Sequence, residues 1–172
     1  MIRPAGFRGL ALLAMLVLLA ACGSDPETVP YQPRETSVNP ASAAAKINAY
    51  RASRGLAGLA VDPVLNDIAA QTAREIAGDP GRRSELHSGA GIQQRFEAAG
   101  YAILGAAENI GKGYPTLDTA IAGWQGSRGH DRNLLNEDMT RLGIGLALTD
   151  ADSFKSYWVL LLAAPDDGAS SL

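Results

Sequence analysis

The chain of 172 residues carries 15 Lys and Arg against 18 Asp and Glu, a formal net charge of −3 at pH 7, and 47% of its residues are hydrophobic. Its single cysteine excludes an internal disulfide, and its mild acidity argues against a nucleic-acid partner, which would need a basic face. A chain of this length can still bury enough surface to fold as one ordinary domain.

The chain begins with basic residues followed by a short apolar run. Arg3 and Arg8 precede an uncharged run over residues 10–21, which is too short to span a bilayer comfortably and is typical of a signal peptide. The run ends in L-A-A-C, which resembles the bacterial lipoprotein box, in which Cys22 is lipidated and becomes the first mature residue. We expect an exported lipoprotein of the bacterial cell envelope, anchored to a membrane by its lipid. An ordinary cleaved signal and an uncleaved anchor are the alternatives.

Composition divides the chain into four predicted segments. Residues 1–21 are the signal peptide, residues 22–39 are the lipid-anchored cysteine with a proline-containing flexible linker, and residues 40–164 are one domain. Residues 165–172, rich in Asp, Gly and Ser, are a disordered tail. Removing the signal peptide takes away two arginines and no acid, so the net charge changes from −3 to −5.

The same start signal opens two helices of the domain. Asn39 followed by proline predicts a helix that ends near Gly55, and Asp62 followed by proline predicts a second that ends near Ala77. Apolar side chains in the second helix recur at helical spacing, so it presents one buried face.

The middle of the domain mixes short elements. Residues 82–91 are predicted as a loop that contains His87, and residues 92–99 as a short helix. Residues 101–111 are predicted to be extended, with Glu108 near their middle.

Two strands end the domain. After a helix that Thr116 caps and that carries Trp124, His130 is predicted to lie in a turn. Residues 141–148 alternate apolar residues with glycine or alanine, which predicts a strand against which another backbone packs closely. Residues 157–163 are apolar throughout, so they form a strand buried on both faces, antiparallel to the first. The predicted class is α+β, a small sheet with helices on both faces.

Two histidines and one carboxylate are the candidates for chemistry. His87 and His130 are the only histidines, and Glu108 lies in an apolar stretch where a carboxylate is rarely buried unless it is paired, protonated or bound to metal. Together they could hold a divalent ion and leave a position for water. Their spacings match no compact metal motif. The alternatives are ordinary loop histidines and a buried salt bridge from Glu108 to Arg128 or Arg132.

Other chemical signals are weaker. Ser88 or Ser127 lies near a histidine, but neither is surrounded by the G-x-S-x-G sequence of a nucleophile elbow. Residues 111–113, G-K-G, lack the strand-to-helix context of a phosphate loop, so we predict a turn.

Several segments, in order, resemble one family. They are I-N-A-Y-R-A-S-R-G-L from Ile47, L-H-S at 86–88, A-E-N-I at 107–110, W-Q-G-S-R-G-H-D-R-N-L-L-N at 124–136 and L-G-I-G-L-A at 142–147. Each segment is weak alone, but the ordered set, spanning about residues 43–163, is similar to the CAP superfamily of cysteine-rich secretory, antigen 5 and pathogenesis-related proteins. The domain is also called SCP-like, and the resemblance is to its cysteine-free bacterial branch.

The resemblance implies an α-β-α sandwich around a mostly antiparallel sheet, and a cleft where two histidines and two acidic residues bind a divalent metal. His87, Glu108 and His130 match three of these positions, whereas Ser127 stands where many members have the second acid. We therefore expect weak affinity for a divalent cation, zinc first, with Asp131 or water as a substitute ligand. Asn109, Ser127 and Asp131 would support the cleft.

The function we expect is binding without catalysis. A lipid or an envelope component would occupy the cleft, and metal would modulate that binding. The alternative is a metal-dependent hydrolase, a peptidase or cell-wall hydrolase that uses His87, Glu108 and His130. In that alternative Glu108 could not be both metal ligand and base. A third interpretation is a vestigial cleft whose side chains are only hydrogen-bonded.

Overall fold

The computed structural model describes residues 1, 36–150 and 153–166. Residues 32–172 form one compact unit, and two hydrophobic cores lie within it. Because this unit contains its own cores, it can fold on its own. The predicted signal peptide after its first residue, Cys22, and residues 167–172 of the predicted tail lie outside the described residues.

The described residues form six α-helices and four strands. The helices are α1 Pro40–Ser53, α2 Pro63–Gly78, α3 Arg83–Leu86, α4 Gly89–Ala98, α5 Leu117–Gln125 and α6 Arg128–Leu134. The strands are β1 Ala60–Val61, β2 Ile103–Lys112, β3 Arg141–Leu148 and β4 Ser156–Pro165. No helix within residues 36–150 and 153–166 is long and apolar enough to cross a membrane.

The sheet has the order β1-β3-β4-β2. The short β1, which was not predicted, pairs in parallel with β3, and the other pairs are antiparallel. The predicted antiparallel pairing of the last two strands is confirmed. Pro165, which we expected in the tail, is the last residue of β4.

Helices cover both faces of the sheet, as predicted. One core joins α1, α5 and α6 to Trp158, Leu160 and Leu162 of β4. The other joins α2 and α4 to Tyr157, Val159 and Leu161 on the opposite face of the same strand. β4 is therefore buried on both faces, and the fold is an α-β-α sandwich.

The helix starts follow from local capping. The Oδ1 atom of Asn39 accepts a hydrogen bond from the backbone N of Ala41 at 2.9 Å, and Oδ1 of Asp62 accepts one from Val64 at 2.8 Å. Thr116 caps α5 through the backbone N of Thr119. These three predicted caps are confirmed.

Glycines of β3 let α2 lie directly on the sheet. An added Cβ at Gly143 would lie 2.2 Å from the backbone carbon of Leu65, and one at Gly145 would lie 2.4 Å from that of Ala69. Real Cβ contacts are essentially never that short. The predicted close approach of another backbone to this strand is confirmed.

Two local predictions were wrong. Residues 82–91, predicted as a loop or irregular turn, are mostly helical, because α3 forms there and the Ser88 side chain caps α4, which begins at Gly89; His87 does lie in the turn between these helices. His130 is not in a turn but in the first half of α6. The glycines on either side of Arg128 made the segment look irregular. In the folded chain, hydrogen bonds from Tyr50 to Asp131 and from Asn133 to Asn109 hold the segment in place as a helix.

Candidate functional site

The candidate site lies along the free edge of β2. Among the described residues β2 pairs with β4 alone, and α4, α5 and α6 lie against it. Neighbouring residues of a strand point to opposite faces of the sheet. Glu108 therefore reaches His87 on one side, while Asn109 donates to the backbone O of His130 at 3.0 Å on the other.

Glu108 is fully buried and both of its oxygens are paired. Its Oε2 lies 2.8 Å from Nδ1 of His87, and its Oε1 accepts a hydrogen bond from Nη1 of Arg95 at 2.8 Å. Its side chain is 0% exposed. The alternative of a buried salt bridge was right in kind, but the named partners, Arg128 and Arg132, were wrong. Both arginines are exposed on α6, whereas Arg95 projects from α4 beneath the sheet edge.

Sequence reasoning missed Arg95. Its side chain is only 14% exposed, and its guanidinium donates to the backbone O of Leu86 at 2.8 Å and of Gly91 at 3.1 Å, and also to Thr72 Oγ1. The available signal was its position, three residues after Ile92 on the apolar side of α4. A charged residue on that side needs a buried partner.

Asn133 is a second residue that sequence reasoning missed. Its Nδ2 donates to the backbone O of Glu108 at 3.1 Å and to Oδ1 of Asn109 at 2.9 Å. These bonds join the edge of β2 to α6. Without them, the backbone O of Glu108 and the side-chain oxygen of Asn109 would lose this buried partner. They also fix the helix that carries His130.

His130 is half-buried and favours the neutral form. Burial lowers the pKa of His130, and the charge of His87 lowers it further. The two histidines, 43 positions apart by number, are therefore electrostatically coupled across the edge of β2. A neutral imidazole has a lone pair, so this state suits a metal or a hydrogen-bond donor.

The other expected cleft residues are less involved. Ser127 occupies the cap position of α6 but makes no capping hydrogen bond. Oδ1 of Asp131 accepts a hydrogen bond from Tyr50 OH at 2.7 Å, so this carboxylate is tied to α1. Ser88 is committed to capping, because its Oγ donates to the backbone O of Glu85 and accepts from the backbone N of Gly91.

The donor set fits a three-residue metal site poorly. Within residues 36–150 and 153–166, no three His, Cys, Asp or Glu side chains are grouped so that they could hold a metal ion. The Glu108 side chain is 0% exposed, so an ion could reach its oxygens only if the surrounding side chains moved. If His87 and His130 held an ion, Glu108 would be the carboxylate that orients a ligating histidine.

The four-stranded sheet is covered by helices on both faces, and a histidine–glutamate pair and a second histidine lie at one of its edges. The chain belongs to the cysteine-rich secretory protein (CAP) family, whose sequence model matches residues 44–162.

Relatives of this chain come from several bacteria. It is 28% identical over 98 residues to the uncharacterized protein YkwD of Bacillus subtilis, covering 57% of this chain and 38% of YkwD. The chain thus spans less than half of that relative. An extracellular SCP-domain protein of Bacillus anthracis has a TM-score of 0.60 at 25% identity over 72% of this chain and 39% of its own. An outer surface protein of Borrelia burgdorferi has a TM-score of 0.57 at 20% identity, over 75% of this chain and 97% of its own.

Proposed function

We propose that this chain is an exported, lipid-anchored CAP-domain protein of the cell envelope whose histidine cleft binds a ligand or partner without catalysis. The observation that carries the proposal is the pairing of Glu108. Because its oxygens are hydrogen-bonded to His87 and Arg95 and its side chain is 0% exposed, the carboxylate is poorly placed to act as a base or as a metal ligand. The cleft keeps two imidazoles for recognition.

The envelope location is supported by sequence and by relatives. The basic start, the apolar run and the L-A-A-C ending at Cys22 form the pattern of a lipoprotein signal. Similar solved structures include an extracellular protein and an outer surface protein. A lipid or another envelope component is then the ligand within reach of a domain tethered to a membrane.

Replacing Cys22 with alanine tests the anchor. We expect the full chain, expressed in a bacterial host with an alkyne-tagged fatty acid, to incorporate the label and to sediment with membranes. Cys22→Ala should lose both, because Cys22 is the only cysteine and stable anchoring needs at least two acyl chains. Ser24→Ala, two residues away, is the matched control. Label retained by Cys22→Ala, or absent from the wild type, would show that the chain is not a lipoprotein.

A metal-dependent hydrolase is the second candidate, and one observation favours it. Burial lowers the pKa of His130 and the charge of His87 lowers it further, so the neutral form of His130, which offers a lone pair, is favoured. A divalent ion held by the two histidines would supply an activated water. Glu108, fixed by Arg95, is not free to take a proton from that water, which is why we prefer a binding role.

Zinc calorimetry on residues 32–172 at pH 7.5 separates the two candidates. We expect binding weaker than about 1 μM, because two imidazoles without a carboxylate ligand form an incomplete site. His130→Ala should abolish whatever heat the wild type gives, whereas Arg132→Ala, an exposed change on the same helix, should leave it unaltered. Tighter binding together with turnover of peptide or cell-wall substrate that His130→Ala removes would overturn the binding proposal.

A further inference from the structure

The half-buried Arg95, which pairs with Glu108, is held on several sides. Beyond its bond to Glu108, its guanidinium donates to the backbone O of Leu86, the residue directly before His87, and to the backbone O of Gly91. Gly91 itself allows this arrangement, because a Cβ there would lie 2.4 Å from the backbone O of Glu85. Arg95 is therefore fixed in place, and it joins the carboxylate to the backbone that carries His87.

The charges of this cluster determine which nitrogen of His87 carries the proton. An arginine side chain is always protonated and can only donate hydrogen bonds. A carboxylate paired with it in a charge-assisted bond is favoured in the ionised form, which can only accept. Oε2 of Glu108 must then accept a hydrogen bond from Nδ1 of His87, 2.8 Å away.

We propose that Arg95 is a positioning residue of the cleft. It acts as the permanent counter-charge of Glu108, and through Glu108 it holds His87 in the tautomer that carries the proton on Nδ1. This role replaces the direct metal contact that the CAP resemblance implies for Glu108. The carboxylate is neutralised by a residue of the chain itself, without any ion.

The consequence is a fixed acceptor in the cleft. The His87 side chain is 36% exposed while its Nδ1 edge rests on a fully buried carboxylate. Nε2 lies on the other side of the ring from Nδ1, and in the Nδ1–H tautomer it carries a lone pair that can accept a hydrogen bond. This deepens the proposed binding function and rests on it: the group of the ligand that meets His87 is a hydrogen-bond donor, such as a hydroxyl or an amide N–H.

Nitrogen-15 NMR of the histidine rings in residues 32–172 tests the proposal. At about pH 8.5, where imidazole is neutral in the absence of perturbation, wild-type His87 should be mainly the Nδ1–H tautomer. In Arg95→Met, Glu108 loses its counter-charge, so the hydrogen bond from Nδ1 of His87 to a charged Glu108 is no longer secured. We expect the ratio of Nδ1–H to Nε2–H to fall roughly tenfold, because a hydrogen bond to a charged group is worth about one order of magnitude in an equilibrium. Arg132→Met, which removes an exposed arginine, should leave the ratio as in the wild type.

Two results would overturn the role of Arg95. One is a wild-type His87 that is mainly Nε2–H, and the other is an unchanged tautomer ratio in a folded Arg95→Met variant. If Arg95→Met does not fold in a thermal melt, Arg95→Lys serves instead: a smaller shift of the same sign is expected, and no shift contradicts the proposal. The spectra need no ligand, so their outcome is separate from whether the cleft binds one.

Discussion

Replacing Gly145 with alanine is expected to lower the free energy of unfolding by about 3 kcal/mol or more. The added Cβ would lie 2.4 Å from backbone atoms of both Ala69 and Ala70 in α2. Backbone cannot rotate away as a flexible side chain can, so the helix must move off the sheet. Alanine gains up to about 1 kcal/mol over glycine in an ordinary strand, and this gain is smaller than the cost of the overlap.

A thermal melt of residues 32–172 measures the effect. For a unit of this size, we expect the melting temperature to fall by roughly 10 °C. Gly78→Ala is the matched control, because it lies on α2 itself and an added Cβ there meets nothing within 4 Å. Its melting temperature should stay the same or rise slightly. Equal melting temperatures for Gly145→Ala and the wild type would mean that α2 does not lie on β3 as closely as described.

Most of the fold could be predicted because its signals are local. The Asn39 and Asp62 caps each act on backbone groups two or three residues away. The glycines that recur in β3 indicate, from the sequence of the strand alone, that another backbone packs closely against it. β1 escaped prediction because its two residues, Ala60 and Val61, are too few to show a period.

The candidate site could be predicted only in part. His87 and Glu108 were found because each is an unusual residue for its surroundings, and the structure brings them together. Arg95 was missed because its partner lies on another element, and sequence spacing does not show which arginine turns inward. Asn109 and Asn133 join the strand edge to α6, a contact that exists only once the sheet has formed.

Arg51 is a further residue that local reasoning missed. It is 1% exposed, four residues after Ile47 on the buried face of α1. Its Nη1 donates to the backbone O of Leu134 and of Asn136, both at 2.8 Å, and its Nε donates to Ala57 O at 2.8 Å. Leu134 ends α6, so the cation pairs with carbonyls that a helix terminus leaves without partners.

α1 thereby holds both ends of the helix that carries His130. Tyr50 donates to Asp131 in the first turn of α6, and Arg51 binds the last turn. α6 has only seven residues, too few to be stable as a helix by itself. The position of His130 in the cleft therefore depends on contacts that α1 makes at the two ends of α6.

Arg51→Met is expected to lower the free energy of unfolding by about 2–4 kcal/mol, because carbonyls that become unpaired in the interior each cost about 1–3 kcal/mol. Relief of the buried charge offsets part of this loss. Arg74→Met, an exposed change on α2, should stay within about 0.5 kcal/mol. Urea unfolding measures the loss of stability, and the NMR signals of the histidine rings show which part of the structure has changed. We expect the ring signals of His130 to shift while those of His87, held by Glu108, remain. Unmoved His130 signals in a destabilised variant would show that Arg51 supports the core without positioning α6.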